Sequence, residues 1–204
     1  MIWVKILLMQ HSKVSIIIPS YDYEWCIAHA IDSVVSQTYE NWELVIVDDG
    51  SADCSREIIK SYIDRFPGKM KMFTHKNGSH KGLVETYKLG ISKADGEFVA
   101  FLEADDYWQK HSLTKRMAAL HTHANAALAF SDVDIIGRNA LYRLIARHHL
   151  MNKQKLFVYN KPFICRGFEK RNLIPTFSCV VTRKESLLKC NYNLPESFDA
   201  WLDW

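Results

Sequence analysis

Apolar residues in the first half of this chain fall in short unbroken runs, separated by segments whose apolar positions recur with a helical period. Val14-Ser-Ile-Ile-Ile18 is one run, stopping at Pro19; Glu43-Leu-Val-Ile-Val47 is a second, and Phe98-Val-Ala-Phe-Leu102 a third. None leaves a clear polar face, the pattern of strands covered on both sides. Between them, Ile27, Ile31, Val34 and Val35 share one helical face, Ile58, Ile59, Tyr62, Ile63 and Phe66 another, and Leu83, Tyr87 and Ile91 a third. Ser51 is placed to cap the second helix, and Pro67-Gly68 ends it. A short strand near Lys71 to Thr74 leads to the loop Asn77-Gly-Ser-His-Lys-Gly82, and Asp95-Gly96 turns the chain into the run at Phe98. This alternation predicts an α/β fold with a doubly wound, mostly parallel sheet flanked by helices.

The second half is less regular. It predicts a helix from Ser112 towards His121, a strand over Ala126 to Phe130 followed by the acidic Ser131-Asp-Val-Asp134, and another strand over Thr176 to Val181. His121, His123, His148 and His149 lack acidic or cysteine partners at metal-binding spacing and read as surface or packing residues. With 204 residues, 48% of them hydrophobic, the chain can bury a sizeable core. Its five cysteines form no C-x-x-C pair, which argues against a disulfide framework or a zinc ribbon and for a reducing compartment. No apolar run approaches the ~20 residues of a membrane span, and residues 1–12 read as an N-terminal tail rather than a signal peptide. A cytoplasmic location is expected, and with a net charge of only +3 no nucleic-acid partner is.

Charge is unevenly spread. Between Arg138 and Arg171, nine Lys or Arg face a single acid, Glu169. Arg143, Arg147 and Lys153 lie in that stretch; Leu141, Leu144, Ile145 and His148 share a helical face, with Arg143 and Arg147 elsewhere around the helix. Such a segment suits peripheral contact with an anionic membrane or a polyanionic lipid-linked acceptor; a solvated loop is the plainer alternative.

In open α/β sheets, ligands collect beyond the carboxyl ends of the strands. Here those ends are Pro19-Ser-Tyr-Asp22, Asp48-Asp-Gly-Ser51 and Glu103-Ala-Asp-Asp106. Glu103, Asp105 and Asp106 follow an apolar strand without a turn, so they repel one another and call for a cation; a divalent metal carrying phosphate oxygens fits. Tyr21 offers a stacking surface for a base. Asp49 can accept a hydrogen bond from a uracil N–H, while Asp48 braces the loop. Lys81, in a glycine-flanked loop before a helix, can meet a phosphate. Each residue taken singly also has an ordinary structural use, as turn, cap or solvated surface.

The series Val14-Ser-Ile-Ile-Ile-Pro-Ser-Tyr-Asp22, Ser36-Gln-Thr-Tyr39, Glu43-Leu-Val-Ile-Val-Asp-Asp-Gly-Ser51 and Gly96-Glu-Phe-Val-Ala-Phe-Leu-Glu-Ala-Asp-Asp106 resembles the family 2 glycosyltransferases, inverting enzymes of the GT-A fold. The resemblance implies a nucleotide-sugar donor and a divalent metal, Mn²⁺ or Mg²⁺. It implies that Pro19, Tyr21 and Asp49 border the nucleoside, that Asp105 lies by the ribose and diphosphate, and that Asp106 binds the metal, with Asp105 beside it. Residues 13–108 would then be the nucleotide-sugar-binding half and residues 109–204 the acceptor-side half. Three positions depart from the family pattern: Asp22 where Asn is usual, Glu103 where Asp is usual, and Thr86-Tyr-Lys88 where Ala-Arg-Asn is frequent. The missing arginine would shift diphosphate contact to Lys81 or Lys88.

The C-terminal Pro195-Glu-Ser-Phe-Asp-Ala-Trp-Leu-Asp-Trp204 resembles the same family's acceptor-side motif, which makes Asp203 the expected catalytic base, with Glu196 and Asp199 behind it. The chain stops one residue after Asp203, as a piece of a longer protein would. The expected activity is metal-assisted transfer of a sugar, with inversion, from a UDP-sugar to a saccharide or lipid-linked acceptor of the cell envelope or an exopolysaccharide. Two alternatives stand beside it: a sugar-1-phosphate nucleotidyltransferase, whose Arg- and Lys-bearing glycine loop is missing after the first strand, and an inactive nucleotide- or glycan-binding module.

Overall fold

The computed structural model describes residues 12–134, 157–158 and 176–189. Strand β1 (Val14–Ser20) leads to helix α1 (Ile27–Val35), β2 (Trp42–Asp48), α2 (Ser55–Arg65), β3 (Met70–Thr74), α3 (Leu83–Lys93) and β4 (Phe98–Phe101). Then come α4 (Ser112–Thr122), β5 (Leu128–Phe130), β6 (Phe157–Val158), β7 (Val180–Arg183) and α5 (Lys184–Lys189). The strands form one seven-stranded sheet in the order β3-β2-β1-β4-β7-β5-β6. β1 to β4 are parallel, as the alternation predicts. β7 inserts antiparallel between β4 and β5, so β5 runs with the parallel set while β6 and β7 oppose it.

Alternation within each strand divides the core in two. Ile16, Ile18, Leu44 and Ile46 face α1, α2 and α4, packing with Ile27, Ile31, Ile59 and Leu113. Ile17, Val45 and Val47 face the other way, onto Tyr87 and Ile91 of α3. Side chains of period two meeting helices on both faces make these strands apolar throughout. Contact on the α3 side is close: a Cβ on Gly90 would stand 2.5 Å from Ile17 Cγ2.

Local readings need four corrections. β1 does not stop at Pro19 but pairs with β2 through Ser20. Ile17 O accepts from Leu102 N, so Pro19 would present its missing N–H to the β4 side. β4 leaves the ladder after Phe101. The proline therefore sits in a central strand without breaking a pair. Ser51 does not cap α2; its hydroxyl accepts from the Asp22 backbone N–H at 3.0 Å. The strand expected over Thr176 to Val181 begins only at Val180, after a 3₁₀ turn at Phe177–Cys179. The strand expected from Ala126 is shorter, starting at Leu128.

Among the described residues, no helix is long and apolar enough to cross a membrane, and Cys26, Cys54 and Cys179 are free thiols. His121 packs against Phe98, with ring centroids 5.7 Å apart, as a packing histidine should. The basic stretch with Arg143, Arg147 and Lys153, and the acids Glu196, Asp199 and Asp203, lie outside the described residues.

Candidate active site

The three loaded turns lie beyond the carboxyl ends of the parallel neighbours β1, β2 and β4. The first turn depends on Asp22, whose φ of 58° is left-handed. Asn and Asp tolerate that conformation better than other side chains. Asp22 Oδ1 also accepts from the Ala52 N–H at 2.7 Å. Asp in place of Asn thus keeps both the backbone conformation and an acceptor oxygen.

The second turn is tied down by Asp48, which is fully buried. Its Oδ1 accepts from the backbone N–H groups of Gly50 and Ser51 and from Arg56 Nε. This is the loop-bracing contact the sequence suggests. Its Oδ2 is buried with no partner among the described residues. Gly50, at φ 94°, has the Gly78 carbonyl so close that a Cβ would approach it to 2.9 Å.

Asp49 is occupied by the protein itself. Its two oxygens accept from the backbone N–H groups of Lys81 (2.7 Å) and Gly82 (2.8 Å). His80 Nδ1 lies 3.0 Å and His75 Nε2 3.5 Å from the same carboxylate. The ring of half-exposed Tyr21 packs tilted against His80, with centroids 4.3 Å apart. Tyr21, Asp49 and the 80–82 loop are therefore brought together, with His80 as an unforeseen neighbour of both. The side chain of Lys81 is exposed beside them. Lys88 turns away and pairs with Glu85 at 2.6 Å.

The third turn carries Glu103, Asp105 and Asp106, whose carboxylate oxygens lie within 4.8 Å of one another. Buried Leu102, Ala104 and Trp108 alternate with the acids and anchor the turn. Partial burial, then the neighbouring charge of Asp106, raise the pKa of Asp105. Three clustered hard-oxygen groups fit Mg²⁺ or Mn²⁺, which a soft or nitrogen-rich set would not.

This turn is held from behind by a residue without a local signal in the sequence. Ser178 Oγ accepts from the Glu103 N–H at 2.9 Å, and its carbonyl accepts from Trp108 Nε1 and Arg116 Nη1. The Arg116 guanidinium is buried over the Trp108 ring, 4.3 Å from its centroid. Burial lowers its pKa to about 10, so it remains charged at neutral pH.

Comparison with known proteins gives the family and the fold. The family model described as glycosyl transferase family 2 matches residues 15–188, and the chain belongs to that family. An uncharacterised glycosyltransferase of Nostoc sp. is 38% identical over 62% of this chain and 38% of its own. The Escherichia coli UDP-Glc:alpha-D-GlcNAc-diphosphoundecaprenol beta-1,3-glucosyltransferase WfgD is 34% identical over 65% of this chain and 50% of its own. The chain thus spans half or less of the length of these relatives. A crystal structure of an S. aureus TarS fragment superposes with a TM-score of 0.65 and 24% identity, covering 93% of this chain and 53% of that one. Its complex with UDP-GlcNAc matches at 28% identity and a TM-score of 0.51, over 57% of this chain and 33% of that one. The mixed, mostly parallel sheet is the GT-A fold.

Proposed function

We propose that this chain belongs to a glycosyltransferase that moves a sugar from a nucleoside diphosphate, UDP by preference, to a saccharide or lipid-linked acceptor of the cell envelope or an exopolysaccharide. The observation that carries this reading is the gathering of Glu103, Asp105 and Asp106 within 4.8 Å, at the edge that also bears Tyr21 and Asp49. The UDP-Glc of the WfgD glucosyltransferase's name and the UDP-GlcNAc of the TarS complex support the choice of UDP.

In this reading Pro19 and Tyr21 flank the base and Asp49 reads its edge, while Lys81 lies along the phosphates. Asp105 and Asp106 would hold a Mn²⁺ or Mg²⁺, whose positive charge offsets that developing on the departing diphosphate. Asp203 serves as general base. Its carboxylate takes the proton of the acceptor hydroxyl as that oxygen bonds to the anomeric carbon. The bond from that carbon to the diphosphate oxygen breaks on the opposite face, which inverts the centre. The basic stretch 138–171 would meet the membrane surface on which a lipid-linked acceptor is carried. Failure of the protein to co-sediment with anionic vesicles would overturn that part.

Thermal unfolding in the presence of UDP, GDP, CDP, ADP or dTDP, each with and without Mn²⁺, tests the donor site. A nucleotide at 100 times its Kd adds about 2.7 kcal/mol, a shift of several degrees. Metal-dependent stabilisation by UDP is expected. A folded sample that responds to none of them sinks the proposal.

A further inference from the structure

The motif Ser36-Gln-Thr-Tyr39 lies between the end of α1 and the start of β2. Gln37 is buried, and its side chain is spent on backbone groups from two distant segments. Nε2 donates to the carbonyls of Ser33, in the last turn of α1, and of Gln109, both at 2.9 Å. Oε1 accepts from the Leu113 N–H at 3.0 Å. Two carbonyls and one N–H use both donors and the oxygen of a carboxamide. Thr38 adds a second rung: its N–H donates to the Lys110 carbonyl at 3.1 Å, and its hydroxyl lies 2.8 Å from Thr114 Oγ1 and 3.1 Å from His111 Nδ1.

Capping alone would ask for less. An ordinary cap serves one helix end, whereas Gln37 joins the end of α1 to the first turn of α4. The Gln109 carbonyl already accepts from the Ser112 N–H at 2.9 Å, so it does not need Gln37 to be satisfied. What the contact adds is position. Gln109 lies three residues after Asp106, on the chain that leaves the acidic turn. At its other end α1 is fastened to the Tyr23 carbonyl, which accepts from the Cys26 and Ile27 N–H groups two residues beyond Tyr21. The nine residues of α1, a rod of about 14 Å, thus connect the turn bearing Tyr21 with the chain leaving Asp106. Ser178 secures the entry to the acidic turn through the Glu103 N–H.

We propose that Gln37 is a positioning residue that sets the spacing between the Tyr21 turn and the acids, so that one nucleoside diphosphate can meet both. The inference rests on the reading of the site as a nucleotide-sugar site. A ligand held at two places gains from the second only where their separation fits its own span, and functional groups must be held to about 0.5 Å. Uridine, which has no phosphates, uses one place and is indifferent to that spacing.

Calorimetric titration of wild type and Gln37→Met with UDP plus Mn²⁺, and competition with uridine, test it at a temperature where both proteins are folded. Methionine fills the space and makes none of the three hydrogen bonds. The variant is expected to lose some Tm, to bind uridine as wild type does, and to bind UDP with Mn²⁺ about tenfold more weakly, the lower end of what a displaced metal partner costs. If Gln37→Met does not fold, Thr38→Val, at an exposed position, is measured in the same way; the same selective loss is expected, about threefold. Three outcomes overturn the proposal. Unchanged affinity for UDP with Mn²⁺ in the folded variant shows that the motif serves the fold alone and leaves the proposed function standing. Uridine and UDP weakened alike show damage to the base turn rather than to the spacing. Wild type that binds no nucleoside diphosphate removes the reading of the site and this inference together.

Discussion

The two ends of the same parallel sheet treat acidic side chains in opposite ways. At the amino end, Glu43 is 2% exposed, yet every approach to it is met. Ser15 Oγ donates to it at 2.6 Å, Lys13 Nζ at 2.8 Å and the Asp95 backbone N–H at 2.7 Å, with Lys71 at 3.4 Å. Ser15 Oγ in turn accepts from the Gly96 N–H, and a Cβ on Gly96 would reach the Lys13 carbonyl at 2.7 Å. At the carboxyl end, Glu103, Asp105 and Asp106 crowd together, Asp48 Oδ2 and Ser20 Oγ are buried without partners among the described residues, and the Tyr87 hydroxyl is equally bare. Burial works against the ionised form at Glu43 too, but the hydrogen bonds from Lys13, Ser15 and Asp95 and the Lys13 charge bring its pKa down to about 2. At Asp105 burial and Asp106 act in the same direction and the pKa rises. The hydrogen bonds and charge around Glu43 secure the fold, whereas the balance at Asp105 disfavours the bare carboxylate, which is what a cation site requires.

Substitutions at the two ends should therefore separate stability from function. Asp106→Ala carries the largest expected effect. Metal-dependent stabilisation by UDP is lost and transfer falls by at least about a hundredfold, more than disturbing an outer-shell metal partner costs, while Tm hardly moves. A variant that keeps its Mn²⁺ response would put the cation site elsewhere.

Glu43→Gln should do the reverse. It removes about 3 kcal/mol of stability, roughly 6 to 12 °C in Tm, and leaves nucleotide affinity unchanged in the folded protein. The pH dependence follows from the same carboxylate. Its folded pKa lies below the ordinary 4.5, so its contribution is fully present above that value and fades as pH falls from 4.5 through about 2. Denaturant titrations across that window should show the loss in wild type and a flatter profile in Glu43→Gln; parallel profiles would mean that Glu43 does not carry the pH dependence of stability.

The smallest effect is expected at Asp105→Asn. Above its raised folded pKa, the Asp105 carboxylate is held ionised at a cost to the folded state. Removing the charge should leave Tm unchanged or raise it by about a degree or two in metal-free buffer. A clear loss of stability would mean that the acidic turn is as self-satisfied as the Glu43 end.

The parallel half of the fold was legible because each strand is apolar on both faces and ends in turn chemistry, as at Val47-Asp-Asp-Gly50. The candidates at that edge could be named for the same reason: Tyr21, Asp49, Asp105 and Asp106 follow strand ends, and Lys81 sits in a glycine-flanked loop before α3. What escaped is set by contacts between distant segments. Ser178 carries no local mark of its hold on Glu103, and Glu43 looks like any polar residue opening a strand. Ser51 has the composition of a cap, but the Asp22 N–H competes for its oxygen and wins. The antiparallel sense of β7 comes from its pairing with β4 and β5, which no period within residues 176–183 encodes.

That late strand has a consequence during synthesis. The Glu103 N–H finds its partner 75 residues downstream. At about 5–20 residues per second, the β4 edge waits roughly 4 to 15 s after it leaves the ribosome before β7 can cover it. For that interval the nascent chain carries a central strand with an open, apolar edge, the kind of surface that recruits chaperones or pairs with a neighbouring chain. Loss of β7 residues should therefore lower yield in the cell before it lowers the stability of the molecules that do fold.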